Sequence, residues 1–224
     1  LKTMDQCNVK LIIFCGHEAL HALCTEHRMD IEAVRKYPDR FKAYFAMNGN
    51  LPDQEAALER LKNNRDVFVG LKTLGSYFGH PITSDIYTPF YEYAQEEGLL
   101  FLSHTWGDNP NDGWREAERF LKKYPDIPFL AGHSFHGAWE EAARLCNDYP
   151  NLYLELTAVI DERGPLELLL ERCGSEKLLF GTDLPWFDTH HGIGTVLATE
   201  MSDEDRRNIF YRNGEKLLAR QDIL

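Results

Sequence analysis

The sequence predicts an α/β protein of the TIM (β/α)8-barrel type. Seven short apolar runs alternate with amphipathic segments, the runs start at near-constant intervals, and no glycine-rich phosphate turn follows the first of them. The runs are residues 9–15 (VKLIIFC), 41–47 (FKAYFAM), 67–72 (VFVGLK), 99–103 (LLFLS), 127–131 (IPFLA), 152–156 (LYLEL) and 178–181 (LLFG). Each has the length and the apolar or β-branched content of a strand. Successive starts fall 25 to 32 residues apart, near the roughly 31 expected when about 250 residues build eight βα units. Helical periodicity with charged outer faces marks 53–64 (DQEAALERLKNN), 88–97 (TPFYEYAQEE), 114–124 (WREAERFLKKY), 138–149 (AWEEAARLCNDY) and 203–210 (DEDRRNIF). Tyr-Pro pairs at Tyr37-Pro38, Tyr124-Pro125 and Tyr149-Pro150 stop helices, because proline forbids continuation. A doubly wound open sheet shares this alternation, but FCGHEAL after the first run is no GxGxxG.

Composition narrows the function class. With 24 basic against 36 acidic residues the net charge is −12, and the acidic residues are scattered. That balance disfavours a nucleic-acid groove or an anionic membrane surface and leaves a small molecule as the expected partner, with pairing to a second copy compatible. The five cysteines, Cys7, Cys15, Cys24, Cys146 and Cys173, are odd in number and show no CxxC spacing, as free thiols of a reducing compartment do. The expected location is the cytoplasm. No apolar stretch approaches the roughly 18 residues that span a bilayer.

The polar residues at strand ends carry the chemistry. Three apolar runs lead directly into a metal-ligand type: LLFLSH ends at His104, IPFLAGH at His133 and LLFGTD at Asp183. All strand C-termini of a parallel barrel open on one face, so residues 29 and then 50 positions apart converge there. Two imidazoles and a carboxylate suit Zn2+ or a similar divalent ion, which lowers the pKa of a bound water towards neutrality.

The segments GLLFLSHTWGD, FLAGHSFHG, KLLFGTDLPW and SDEDRRNIFYRNGEKLL resemble the later strands and closing helix of the amidohydrolase superfamily. The nearest branch contains aminocarboxymuconate semialdehyde decarboxylase, related aromatic-acid decarboxylases and many uncharacterised hydrolases. MDQCNVKLIIF, KYPDRFKAYFAMN and VGLKTLGSYFGHP extend the resemblance nearly end to end. It implies that His104 binds the metal, that Asp183 binds it and exchanges protons, and that His133 holds the reacting group or a second metal. Lys72, ending the VFVGLK run, matches a lysine that faces substrate in this branch, although a lysine there also fits a stem that packs while its ammonium reaches solvent. Trp106, Phe135, Trp186 and Phe187 are candidate aromatic walls, with Trp106 and Trp186 the expected substrate contacts. His80, His136, His190 and His191 are expected to be solvated loop histidines.

One departure bears on the fold and the site together. The family's first strand ends in an HxH ligand pair, no HxH occurs in this sequence, and only seven strands can be counted. The expectation is a chain that is N-terminally incomplete, closed by about 15–40 further residues carrying an apolar strand that ends in HxH. A metal held by the remaining ligands is expected to bind weakly.

Four functional readings follow. The first is a metal-dependent hydrolase of a small amide, lactone or ester, with Asp183 taking the proton of a metal-activated water and His133 stabilising the oxyanion. The second is non-oxidative decarboxylation of an aromatic or enolic acid at the same site, with Asp183 or His133 protonating the carbanion. The third is an inactive barrel that folds, dimerises or binds a ligand. The fourth takes His17-Glu18-Ala19-Leu20-His21 as an HExxH zinc-protease helix with His27 as third ligand. Against this last reading, the position such proteases fill with glycine is Cys24.

Overall fold

The computed structural model describes residues 1–21 and 26–221; Cys24 lies outside the described residues. Seven strands, β1 (Ile12–Phe14), β2 (Phe41–Ala46), β3 (Phe68–Thr73), β4 (Leu100–Trp106), β5 (Phe129–His136), β6 (Leu152–Glu155) and β7 (Leu178–Leu179), pair in chain order. Every pairing is parallel. The helices are α1 (Lys2–Gln6), α2 (His17–His21), α3 (Arg28–Lys36), α4 (Gln54–Lys62), α5 (Gly75–Phe78), α6 (Thr88–Glu97), α7 (Trp114–Lys123), α8 (Trp139–Asp148), α9 (Pro165–Cys173), α10 (Thr189–Ala198), α11 (Asp203–Arg207) and α12 (Asn213–Ala219). This is the alternation of a TIM-type α/β fold. The sheet has seven strands, and among the described residues β1 and β7 do not pair with each other. No helix among them is long and apolar enough to cross a membrane.

Strand alternation sorts the apolar residues into two layers. Phe45, Phe68, Phe101, Phe129, Leu152 and Leu154 face the helices in the large outer core. Tyr44, Val69, Leu100, Leu130 and Leu179 face inward, where Leu217 and Leu218 of α12 meet them. Gly70 allows this crowding, since a Cβ there would press on the Leu100 carbonyl and the Tyr44 ring. Helix signals match the sequence. Asp53 caps α4 through the Ala56 N–H, and Ser202 and Asp205 form a reciprocal capping box on α11. The segment read as one helix over 203–210 continues as a π-turn at Asn208–Arg212 into α12.

The inward face predicts which side chains reach the open end of the sheet. On β4, Leu100 and Leu102 lie inward, so His104 and Trp106 follow on the same face, whereas Phe101 lies outward. On β6, Tyr153 lies inward, which carries Glu155 inward as well. β4 and β5 run past the runs expected from sequence, so His104 and His133 sit inside strands and not after them.

The protease reading is overturned here. His27 is 4% exposed, and both ring nitrogens are engaged: Nδ1 pairs with Asp30 Oδ2 at 2.9 Å, and Nε2 accepts the Ala46 N–H at 3.3 Å. A backbone amide can only donate, so Nδ1 carries the proton and gives it to Asp30. Asp30 Oδ1 also accepts the Gly16 N–H at 3.1 Å. His27 therefore ties the ends of β1 and β2 together, stacked 4.4 Å from Phe45. It has no lone pair left for a metal. Asp30→Ala strands the buried His27 donor and the part-buried Gly16 N–H and is expected to lower stability by about 2–4 kcal/mol, read as a shift in urea midpoint at unchanged slope.

Candidate functional site

The candidate site lies at the C-terminal edge of the sheet, where β3 to β7 deliver Lys72, His104, His133, Glu155 and Asp183. His104 and His133 come together, with ring centroids 4.8 Å apart in an edge-to-face arrangement. His104 arrives by simple alternation. His133 does not.

On β5, Ala131 faces the helices and Leu130 the interior, so alternation aims residue 133 outward. A run of left-handed backbone re-aims it: φ is 68° at His133, 49° at Ser134 and 57° at Phe135. The strand pairing records the same event, passing from His104↔Gly132 to Trp106↔His136 and so inserting two extra residues into β5. Non-glycine residues in this conformation cost about 1–3 kcal/mol each unless the surroundings hold them. Here they do. The His133 N–H donates to Glu155 Oε2 (3.3 Å), the Ser134 hydroxyl to the Glu155 carbonyl (2.8 Å) and the Phe135 N–H to Thr105 Oγ1 (2.9 Å). The Thr105 hydroxyl in turn donates to the Gly132 carbonyl (2.7 Å).

Electrostatics keep both imidazoles neutral. Burial, then His133, then the Lys72 ammonium hold His104 down to about 3. Burial, then Lys72, lower His133 to about 4 against the opposing pull of Asp183. His133 Nδ1 lies 3.3 Å from the Thr157 carbonyl; a carbonyl only accepts, so Nδ1 carries the proton and Nε2 keeps its lone pair. Glu155 accepts the Thr157 N–H at 3.0 Å and the Thr157 hydroxyl, and burial pushes its carboxyl up.

The remaining expected residues divide. Lys72 lies on the inward face of β3, partly buried and close enough to act on both histidines. Asp183, in left-handed backbone before the cis Leu184–Pro185 bond, is exposed, and its charge is felt at His133. Among the described residues no three His, Cys, Asp or Glu side chains converge to hold a metal. The two histidines are therefore assembled, and Asp183 stands apart from them. Trp106 (43% exposed) lies parallel to His104 at 6.0 Å, and Trp186 (66% exposed) donates its indole N–H to His17 Nε2 at 3.2 Å. Phe187 is partly exposed in the same loop. Phe135 is not a wall: it is fully buried in the outer core.

Of the loop histidines, His136 departs from the expectation of a solvated ring. His136 is largely covered, stacked 4.0 Å from Trp106 with Nε2 2.8 Å from Glu162 Oε1. His190 pairs with Asp188 and His191 with Asp161 on the surface, and His80 Nε2 lies 3.1 Å from Asn50 Oδ1. Two contributors escape the sequence reading. Glu155 lies inside the apolar run 152–156, one residue before its end, and the ring of Tyr77 (67% exposed) stands edge-to-face to His104 with centroids 5.3 Å apart. The rings of His17 and His21 have centroids 5.1 Å apart, and His21 lies 6.3 Å from Tyr77. They are rim residues beside Trp186 and Tyr77.

A parallel α/β sheet whose C-terminal edge gathers histidines defines the class, and comparison with known proteins supplies the family. The family model described as Amidohydrolase matches residues 16–220; the chain belongs to this family. It is 26% identical over 241 residues to a gamma-resorcylate decarboxylase of Polaromonas sp. (strain JS666), covering 83% of this chain and 72% of that protein. Among solved structures it is similar to the uncharacterised TIM-barrel protein Bb4693 of Bordetella bronchiseptica, with TM-score 0.83, 16% identity, and 99% and 82% of the two chains covered. It is also similar to a dihydroxybenzoic acid decarboxylase of Polaromonas sp. JS666 described with bound manganese and the inhibitor 2-nitroresorcinol, with TM-score 0.76, 20% identity, and 100% and 86% covered.

The depressed histidines set a pH dependence. Folded-state pKa values of about 3 and about 4 lie below the roughly 6.5 of a solvated imidazole, so the unfolded chain binds more protons as pH falls. Stability of the metal-free protein is expected to be full above about pH 6.5 and to decline towards pH 4. Denaturant midpoints across that range measure it, and His104→Gln should flatten the decline. An unaltered slope in that variant would mean that His104 is solvated.

Proposed function

We propose that the chain is a divalent-cation-dependent decarboxylase of a hydroxylated aromatic carboxylic acid. The observation that carries this reading is the pairing of two neutral imidazoles above Lys72 with two exposed rings, Tyr77 and Trp106, beside them. Exposed aromatic faces over a cationic floor suit a flat anion. The decarboxylase relatives support the same choice over hydrolysis of an amide, lactone or ester, for which no feature of this site speaks. A small-molecule acid is then the partner.

His104, with Asp183 brought in from its exposed turn, would hold the cation, which leaves the one lone pair of His133, on Nε2, for proton transfer. Neutral imidazole nitrogens with a carboxylate fit zinc and manganese alike. The ion would supply Lewis-acid polarisation of the substrate's oxygens. Lys72 would pair with the carboxylate, and Trp106 would lie against the ring.

His133 performs the proton transfer. With Nδ1 held by Thr157, its free Nε2 takes the proton of a hydroxyl ortho to the carboxylate, which raises electron density at the ring carbon bearing that group. The imidazolium returns the proton to that carbon. The bond to the carboxylate then breaks, its electron pair restores the aromatic ring, and CO2 leaves. The phenolate regains a proton from solvent. Asp183 on the same rim is the second group able to exchange this proton.

Release of CO2 from 2,6-dihydroxybenzoate with added Mn2+ or Zn2+ tests the reading. It is expected to stop with chelator, to resume on adding metal, and to fall about 100-fold or more in His133→Ala and Asp183→Asn. Trp106→Ala should raise KM by about tenfold, corresponding to the loss of roughly one stacking contact. Hydrolysis of a lactone or amide, with no CO2 from any hydroxybenzoate, would overturn it.

A further inference from the structure

We propose that Glu155 is the positioning residue of this site: its carboxylate fixes the tautomer and the direction of His133 and sets the approach to Asp183. The inference rests on the reading of His133 given above. Glu155 reaches His133 by two routes. Its Oε2 accepts the His133 backbone N–H at 3.3 Å, which holds the first residue of the left-handed run. Its Oε1 accepts the Thr157 N–H at 3.0 Å and the Thr157 hydroxyl, and the Thr157 carbonyl in turn faces His133 Nδ1 at 3.3 Å. One carboxylate therefore holds the histidine by its backbone and, through a single residue, by the back of its ring.

The third link runs to β7. A Cβ on Gly181 would overlap Glu155 Oε1 and approach the Thr157 hydroxyl, so glycine at 181 is the condition for this carboxylate to sit where it does. Gly181 stands two residues before Asp183. The backbone of Glu155 is tied in as well, because its carbonyl accepts the Ser134 hydroxyl at 2.8 Å and its residue pairs with Leu179. A structural carboxylate at a sheet edge needs none of this focus. Here every acceptor of the side chain serves His133 or Thr157, and the side chain shares the inward face with Tyr153 below it.

Three variants separate positioning from general stability. Glu155→Gln turns one of the two acceptor oxygens into a donor facing a donor. Gly181→Ala displaces the carboxylate without removing it. Glu155→Ala removes it. In nitrogen-15 histidine spectra of the metal-free chain at pH 7, wild-type His133, assigned by its loss in His133→Gln, is expected as the Nδ1–H tautomer. Both Glu155→Gln and Gly181→Ala should move it to a mixture of tautomers, and kcat for CO2 release should fall about 10–100-fold with KM within twofold. In the Glu155→Ala background, Gly181→Ala should add little, since the two changes act on one interaction. A His133 that keeps its Nδ1–H form in folded Glu155→Gln and Gly181→Ala overturns the proposal. The tautomer is read without metal or substrate, so this outcome is independent of which reaction the chain performs. Should Glu155→Ala fail to fold, the other two variants carry the test alone.

Discussion

The polarity of a parallel sheet is the constraint from which the rest of this molecule follows. Seven strands running one way place every strand C-terminus on one edge, and alternation along each strand decides which side chains face inward there. Two inward leucines, Leu100 and Leu102, guarantee that His104 is inward too. The same count makes Glu155 inward above Tyr153 and Lys72 inward above Gly70. Burial of the apolar layer is thus not separate from the chemistry: the residues that fill the interior set the phase on which the polar residues at its mouth depend.

His133 shows what happens when the phase is wrong for function. Its place in β5 would send it towards the helices, and three successive left-handed residues turn it back. That conformation survives because buried groups on both neighbouring strands, Thr105 on β4 and Glu155 on β6, accept its otherwise unpaired amides. Strain and hydrogen bonding are coupled: the bulge is held by partners that also determine which ring nitrogen of His133 is free.

Much of the fold was legible because strand rhythm and amphipathic helices are local signals. All seven runs became strands, and 88–97 became a helix with the bounds the pattern predicts. The strands were read too short at β4 and β5, because the polar residues that make the site also break the apolar pattern that marks a strand. His104 and His133 were found as polar residues closing apolar runs. Glu155 stands inside LYLEL, one residue before its end, and was passed over because a single glutamate within an apolar run is no metal motif. HExxH was a coincidence of spacing: the sequence shows two histidines one turn apart but not that His27 stacks on Phe45 and spends its ring on Asp30 and Ala46. Tyr77 and His136 were invisible for a different reason, since a ring edge or a stack between loops depends on tertiary placement that no local pattern encodes.

The charge balance of the chain and that of the site run opposite ways. A net charge of −12 spread over the surface is screened beyond about 8–10 Å at physiological salt, so it acts on an approaching anion only weakly and only at distance. Inside the mouth, the Lys72 ammonium acts on both histidines. That ammonium opposes a cation and favours a carboxylate. Its effect on the imidazoles is to keep them unprotonated, which preserves the lone pair of His104 for a cation and that of His133 for proton transfer. A bound carboxylate would neutralise the ammonium and so remove its opposition to the metal. Substrate and ion are then expected to occupy this site cooperatively, each offsetting the charge that resists the other.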